Sequence, residues 1–75
     1  MDLKVYAVKD TVSGSFMQPF YLSNDEVAKR SFSIACKDEK SNYFAIAKDL
    51  QLYRVGKFND ESGELSPDCE FLMNG

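Results

Sequence analysis

The stretch Val12-Ser13-Gly14-Ser15-Phe16-Met17-Gln18-Pro19-Phe20-Tyr21-Leu22-Ser23-Asn24-Asp25-Glu26 reads as a turn, a strand and the start of a helix. Gly14 supplies a residue that takes positive φ without steric cost. Phe16 to Leu22 is rich in aromatic β-formers. Pro19 has no N–H to give to a ladder, so this strand lies at a sheet edge or carries a bulge at Pro19. Ser23 and Glu26 have the spacing of a capping box, the hydroxyl accepting from the Glu26 amide and the carboxylate reaching back to the Ser23 amide. Leu22 and Val27 then have the spacing of a hydrophobic staple. Asp25 and Glu26 fall in the first turn, where the helix dipole favours negative charge.

Upstream, Leu3 to Lys9 alternates with period two, Leu3, Val5 and Ala7 on one side and Lys4, Tyr6 and Val8 on the other, which predicts a strand. The short connection at 10–15 makes it a hairpin with the next strand. Downstream, 24–37 is predicted as an amphipathic helix. Val27, Ala28, Ser31, Ile34 and Ala35 are expected to share its buried face, with Phe32 flanking and Lys29, Arg30, Ser33 and Lys37 pointing away. Residues 38–42 read as a loop and 43–49 as a short helical turn. Gln51 to Phe58 is a third strand, in which Gly56 marks a bulge or a close approach of another backbone. Ser66 to Met73 is a fourth strand, with Cys69, Phe71 and Met73 expected on one side. The order β-β-α-β-β predicts an α+β fold, a small antiparallel sheet with one helix packed on one face. Residues 1–75 are expected to form a single domain with an acidic C-terminal hairpin at 59–75.

The 75 residues leave room for only a small core. No apolar run approaches the roughly 18 residues of a membrane span, and no signal peptide is visible at the start, so the expected location is cytosolic and no membrane partner is expected. Cys36 and Cys69 are isolated. Two reduced, half-buried thiols are the expectation, with one disulfide as the alternative. The net charge of −3 is unevenly spread, because all five acidic side chains beyond residue 58 stand without a basic one. This segment reads as a solvated terminus, or more sharply as a tail that competes with nucleic acid for a basic face.

The chain has no histidine. That removes the usual general base, the Ser/His and Cys/His nucleophile pairs and the imidazole metal sites. Two distant cysteines do not make a zinc site, and there is no phosphate-cradling glycine loop. A nonenzymatic protein without a cofactor or metal is expected. The positive case is binding. Aromatic rings among basic side chains on a sheet can stack bases and neutralise phosphates. The candidate stacking residues are Tyr6, Phe20, Tyr21 and Tyr53, and the candidate phosphate contacts are Lys4, Lys9, Arg54 and Lys57. The same rings could instead form a core or a dimer interface, and the sequence pI of about 4.7 weighs against a strongly phosphate-driven binder.

Two blocks carry a family resemblance. Tyr6-Ala7-Val8-Lys9-Asp10, followed by Gly14-Ser15-Phe16-Met17-Gln18-Pro19-Phe20-Tyr21, resembles the N-terminal signature of a small nonstructural protein of gokushovirus-type microviruses, bacteriophages with single-stranded DNA genomes. Leu52-Tyr53-Arg54-Val55-Gly56-Lys57-Phe58-Asn59-Asp60-Glu61-Ser62-Gly63 is similar to the second signature, a strand ending in Gly-x-Phe-Asp-Asp-x-Ser-Gly, with Asn59 where an acidic residue is usual. The resemblance implies a nonstructural accessory protein of the host cytoplasm, acting in single-stranded genome synthesis or its coupling to packaging. Binding of single-stranded DNA is the usual suggestion, and no catalytic residue is carried over. The expectation is a homodimer, paired through the edge strand near Pro19 or the final strand. The alternative is a protein-binding adaptor engaging a phage replication or capsid protein, or a host factor.

Overall fold

The computed structural model describes residues 2–75. Its strands are β1 (Asp2–Asp10), β2 (Ser15–Phe16), β3 (Phe20–Leu22), β4 (Leu50–Asn59) and β5 (Leu65–Asn74), with one α-helix, α1 (Asp25–Lys37), and a 3₁₀ helix at Phe44–Asp49. All pairings are antiparallel. β1 lies between β4 on one side and the short β2 and β3 on the other, and β5 completes the far edge. The α+β class, the sheet with one covering helix and the helical turn at 43–49 are as the sequence predicts.

The predicted second strand is two strands, and register gives the reason. Phe16 pairs with Lys9 and Phe20 with Tyr6, four steps on one chain against three on the other. One extra residue is therefore accommodated between them. The Met17 amide still donates to the Val8 carbonyl at 2.7 Å, and the ladder resumes only beyond Pro19. Both expectations for Pro19, edge and bulge, hold together. Gly14 takes φ +77° in the preceding turn.

The helix cap sits one residue later than predicted. Asn24, in extended backbone, accepts from the Val27 amide through Oδ1 at 3.0 Å, so Asn24 and not Ser23 is the cap. Asparagine and serine are near-equal caps, so the local sequence leaves this choice open. The buried face is shifted as well. Ala28 and Phe32 are buried and Cys36 packs beside them, whereas Val27 and Ile34 stand 39% and 61% exposed. The stripe facing the sheet is 25, 28, 32 and 36, because Asp25 is held down by partners on β1 and β4.

The core consists of Tyr6, Val8, Ala28, Phe32, Leu50 and Leu52. Each large apolar side chain among them contributes about 1.5–3 kcal/mol by leaving water. Around them pack Met17, Phe20, Leu22, Tyr43, Ile46, Leu72 and Met73. On β1, burial runs unbroken from Val5 to Val8, so the central strand is covered on both faces although the helix lies on only one.

Three irregularities set the faces of β4 and β5, one of them between Arg54 and Gly56, whose partners Glu70 and Pro67 on β5 are three residues apart. The β1–β4 register shifts between Val5 and Tyr6, which pair with Gly56 and Arg54. Gly56 is thus at a bulge, and a Cβ there would stand 2.8 Å from the Ser66 carbonyl oxygen, the close backbone approach that its position suggests. On β5, Met73 pairs with Leu52 but Phe71 with Tyr53, so one residue is inserted at Leu72. A one-residue shift turns side chains to the opposite face. Phe71 and Met73, expected on one side, therefore lie on opposite faces. The fourth predicted strand is present at 65–74, at the sheet edge and with most of its residues exposed to solvent. No helix of the described residues is long and apolar enough to cross a membrane.

Candidate nucleic-acid interface

The face of the sheet away from α1 is aromatic. Three rings cross it in edge-to-face contact, Phe16 on β2 with Tyr53 on β4 (centroids 5.3 Å apart, planes at 80°) and Tyr53 with Phe71 on β5 (5.7 Å, 74°). β1 runs between β2 and β4, and the residue it places opposite Tyr53 is Ala7. A methyl group there leaves room for Phe16 and Tyr53 to meet above it, and they bury Ala7 to 3% exposure. Tyr21 and Phe58 bridge the same strand nearer its start (6.0 Å, 85°), where β1 carries Val5. Lys9 places its ammonium 5.8 Å from the Phe16 ring centre, a cation–π contact that leaves the charge at the rim of the aromatic row. The Tyr53 hydroxyl donates to Gln51 Oε1 at 3.4 Å. Beside Tyr21 opens an apolar groove of about 360 Å³, walled by Pro19, Val55, Leu65 and Pro67 over Val5 and Gly56.

This geometry divides the predicted site residues. Tyr21, Tyr53 and Lys9 share the open face. Tyr6 does not: its ring is fully buried beneath the helix, stacked on Phe20 at 6.0 Å. Phe20 pairs with Tyr6 and packs on the core. Tyr6, with no exposed surface, is corrected from a stacking candidate to a core residue that no base can reach, and Phe20, partly buried on the same core, lies on the helix side away from the open face. Lys4 is in phase with Tyr6 and pairs with Leu22, itself packed on the core, so Lys4 and its cross-strand neighbour Lys57 belong to the helix side.

Arg54 is also withdrawn from the phosphate contacts. Its guanidinium donates to Asp25 Oδ2 at 2.5 Å, to Asp68 Oδ2 at 2.9 Å and to Glu70, and its side chain is only 14% exposed. Three carboxylates against one cation leave the cluster net negative, which opposes a phosphate. Two of the three come from the acidic C-terminal segment. Asp25 also accepts from the Tyr6 hydroxyl at 2.8 Å. Burial alone would raise the Asp25 pKa, but the bonds from Tyr6 and Arg54 and the Arg54 charge outweigh it, and the pKa is lowered. Burial first, then the bond to Asp25, raises that of Tyr6.

Sequence reasoning missed Phe16, Phe58 and Phe71 as members of the face. One signal was present. β1 is apolar in both phases, the mark of a strand covered on both sides, and this favours a core position for Tyr6. For Phe71 no local signal exists, because its direction follows from the insertion at Leu72. Both thiols are free, as the sequence predicts; Cys36 lies beside the core, but Cys69 is exposed on β5 and not half-buried.

A family model described as Phage ORF5 protein matches residues 3–75, nearly the whole chain, and the chain belongs to that family. No curated protein and no solved structure matches it.

Proposed function

We propose that this member of the phage ORF5 family is a nonenzymatic accessory protein of a gokushovirus-type microvirus that binds single-stranded DNA in the host cytoplasm, during genome synthesis or its coupling to packaging. The observation that carries the reading is the row Phe16–Tyr53–Phe71 on a sheet face without a covering helix, with Lys9 at its rim. Bases stack on such rings for about 1–3 kcal/mol each and without regard to sequence. Tyr21 extends the row toward the groove. With Arg54 occupied and Lys4 and Lys57 on the other side, stacking supplies most of the affinity and phosphate contact little. Binding therefore falls only gently with salt, by a slope of about −0.7 per phosphate neutralised.

The test is fluorescence anisotropy of a labelled oligothymidylate at two salt concentrations. Tyr53→Ala, Phe71→Ala and Tyr21→Ala weaken binding while the circular dichroism spectrum is kept, and Lys9→Ala flattens the salt dependence. No binding by the wild type at low salt and high micromolar protein would sink the reading.

One observation favours a second reading. The groove between Pro19 and Pro67 is lined mostly by apolar groups, which suits an apolar side chain of a protein better than a nucleotide. A phage replication or capsid protein, or a host factor, would then dock on the same face. Capture of one partner that survives nuclease and high salt selects this reading.

A further inference from the structure

β5 carries more residues than the strand it pairs with. Between the pairs Phe58–Leu65 and Gln51–Asn74, β4 takes seven steps and β5 takes nine. Two residues are therefore inserted on β5, one between Pro67 and Glu70 and one between Phe71 and Met73. Between the insertions the register holds for two pairs, Arg54–Glu70 and Tyr53–Phe71. β5 is an edge strand, with no neighbour on its far side to hold it in step. Moving the second insertion to join the first would bring Leu72 opposite Tyr53 and Phe71 opposite Arg54. The short segment would then turn over, Phe71 toward the helix and Leu72 toward the open face.

Burial does not choose between these registers. Phe71 and Leu72 are adjacent and both apolar. Leu72 packs on the core and Phe71 stands 46% exposed, and a slip exchanges their places. The apolar area removed from water changes little by such an exchange. Charge does choose. Arg54 donates through Nε to Asp68 Oδ2 at 2.9 Å and through Nη2 to Glu70, while Nη1 holds Asp25 on α1. The two β5 carboxylates stand two positions apart, and one planar guanidinium addresses both. In the slipped register Phe71 takes the place of Glu70 opposite Arg54, and Glu70 passes to the other face of the sheet.

We infer that Arg54 is the positioning residue for Phe71: by holding Asp68 and Glu70 on the helix side, it fixes the register of β5 and sets the Phe71 ring against Tyr53 on the open face. Arg54 thus shapes the aromatic row from the opposite side of the sheet, without touching what binds there. The register stands by itself; its consequence for DNA rests on the function proposed above.

Nuclear Overhauser contacts read the register without DNA. Asp68→Ala with Glu70→Ala frees β5 and leaves the bonds among Arg54, Asp25 and Tyr6 in place. In this variant the Tyr53–Phe71 contact weakens and Tyr53–Leu72 contacts appear, while Tyr53 keeps its contact with Ala7, its partner on β1. A second variant, Phe71→Leu with Leu72→Phe, leaves all three carboxylates on Arg54. Position 71 still meets Tyr53 in it, and this variant decides if the first loses the Ala7 contact. An undiminished Tyr53–Phe71 contact in a folded alanine variant overturns the inference. So does an exchanged variant in which position 72 turns to Tyr53. Anisotropy then reads the consequence for DNA. The alanine variant binds oligothymidylate about tenfold more weakly, as Phe71→Ala does, and adding Phe71→Ala to it weakens binding no further. Loss of two negative charges would by itself tighten binding, so tighter binding contradicts the role in the DNA face. A wild type that never binds oligothymidylate sinks the function proposed above and leaves the register result standing, so the two claims fail separately.

Discussion

The Tyr6 hydroxyl donates to Asp25 Oδ1 at 2.8 Å, tying the central strand to the first residue of the helix. The other oxygen of Asp25 receives Arg54, which also holds Asp68 and Glu70. One carboxylate thus joins β1, α1, β4 and, through Arg54, β5. It fixes the rotation of the helix about its axis, and it takes two predicted binding residues, Tyr6 and Arg54, into the scaffold.

Tyr6→Phe keeps the buried ring and removes the donor. It costs about 1 kcal/mol, the worth of one such bond, and lowers Tm by roughly 4–8 °C for a domain of this size. Affinity for oligothymidylate is unchanged. A loss of DNA binding in a folded Tyr6→Phe protein would place the hydroxyl in the interface and contradict its burial.

Asp25 gives a pH signature. Its folded pKa is depressed, so its stabilisation is fully present above the unfolded carboxylate value of about 3.9 and is lost as pH falls through the lower folded value. Urea melts of wild type and Asp25→Asn show a constant gap above about pH 5 that closes on further acidification. A gap independent of pH down to acid unfolding would mean that the charge on Asp25 contributes nothing.

Replacement of Arg54 separates shape from charge. Arg54→Lys keeps one positive charge but cannot address three carboxylates from one planar fork. We expect a loss of about 1–2 kcal/mol, and more for Arg54→Ala, which leaves Asp25, Asp68 and Glu70 to repel one another. Partial exposure of the acids keeps the cost below that of a fully buried pair. Chemical denaturation reads both. Equal stability of lysine variant and wild type would show that a point charge suffices.

Gly56→Ala must move backbone. The added methyl would meet the Ser66 carbonyl at 2.8 Å, and the strand holding that oxygen has to give. A loss of about 1–3 kcal/mol follows. Amide exchange of β5 speeds up relative to β1. An unchanged melting temperature would mean that the bulge relaxes freely.

The sequence by itself determined the elements. Period-two alternation located β1, the aromatic run ending at Ser23-Asn24-Asp25 located the strand-to-helix corner, and Gly14, Pro19 and Gly56 marked a turn, a bulge and a close approach, since each acts through its own backbone. It could also exclude histidine chemistry outright. Tertiary structure alone decided which side of each element faces inward. The sequence showed Asp25 only as a first-turn charge, and its partners Tyr6 and Arg54 turn it toward the sheet and leave Val27 and Ile34 outside. The inserted residue at Leu72 sends Phe71 to the open face and Met73 to the core. The physical reason is common to both. Local propensity is read from neighbours in the chain, whereas the direction of a side chain depends on register and on long-range partners, and one residue of slip reverses it.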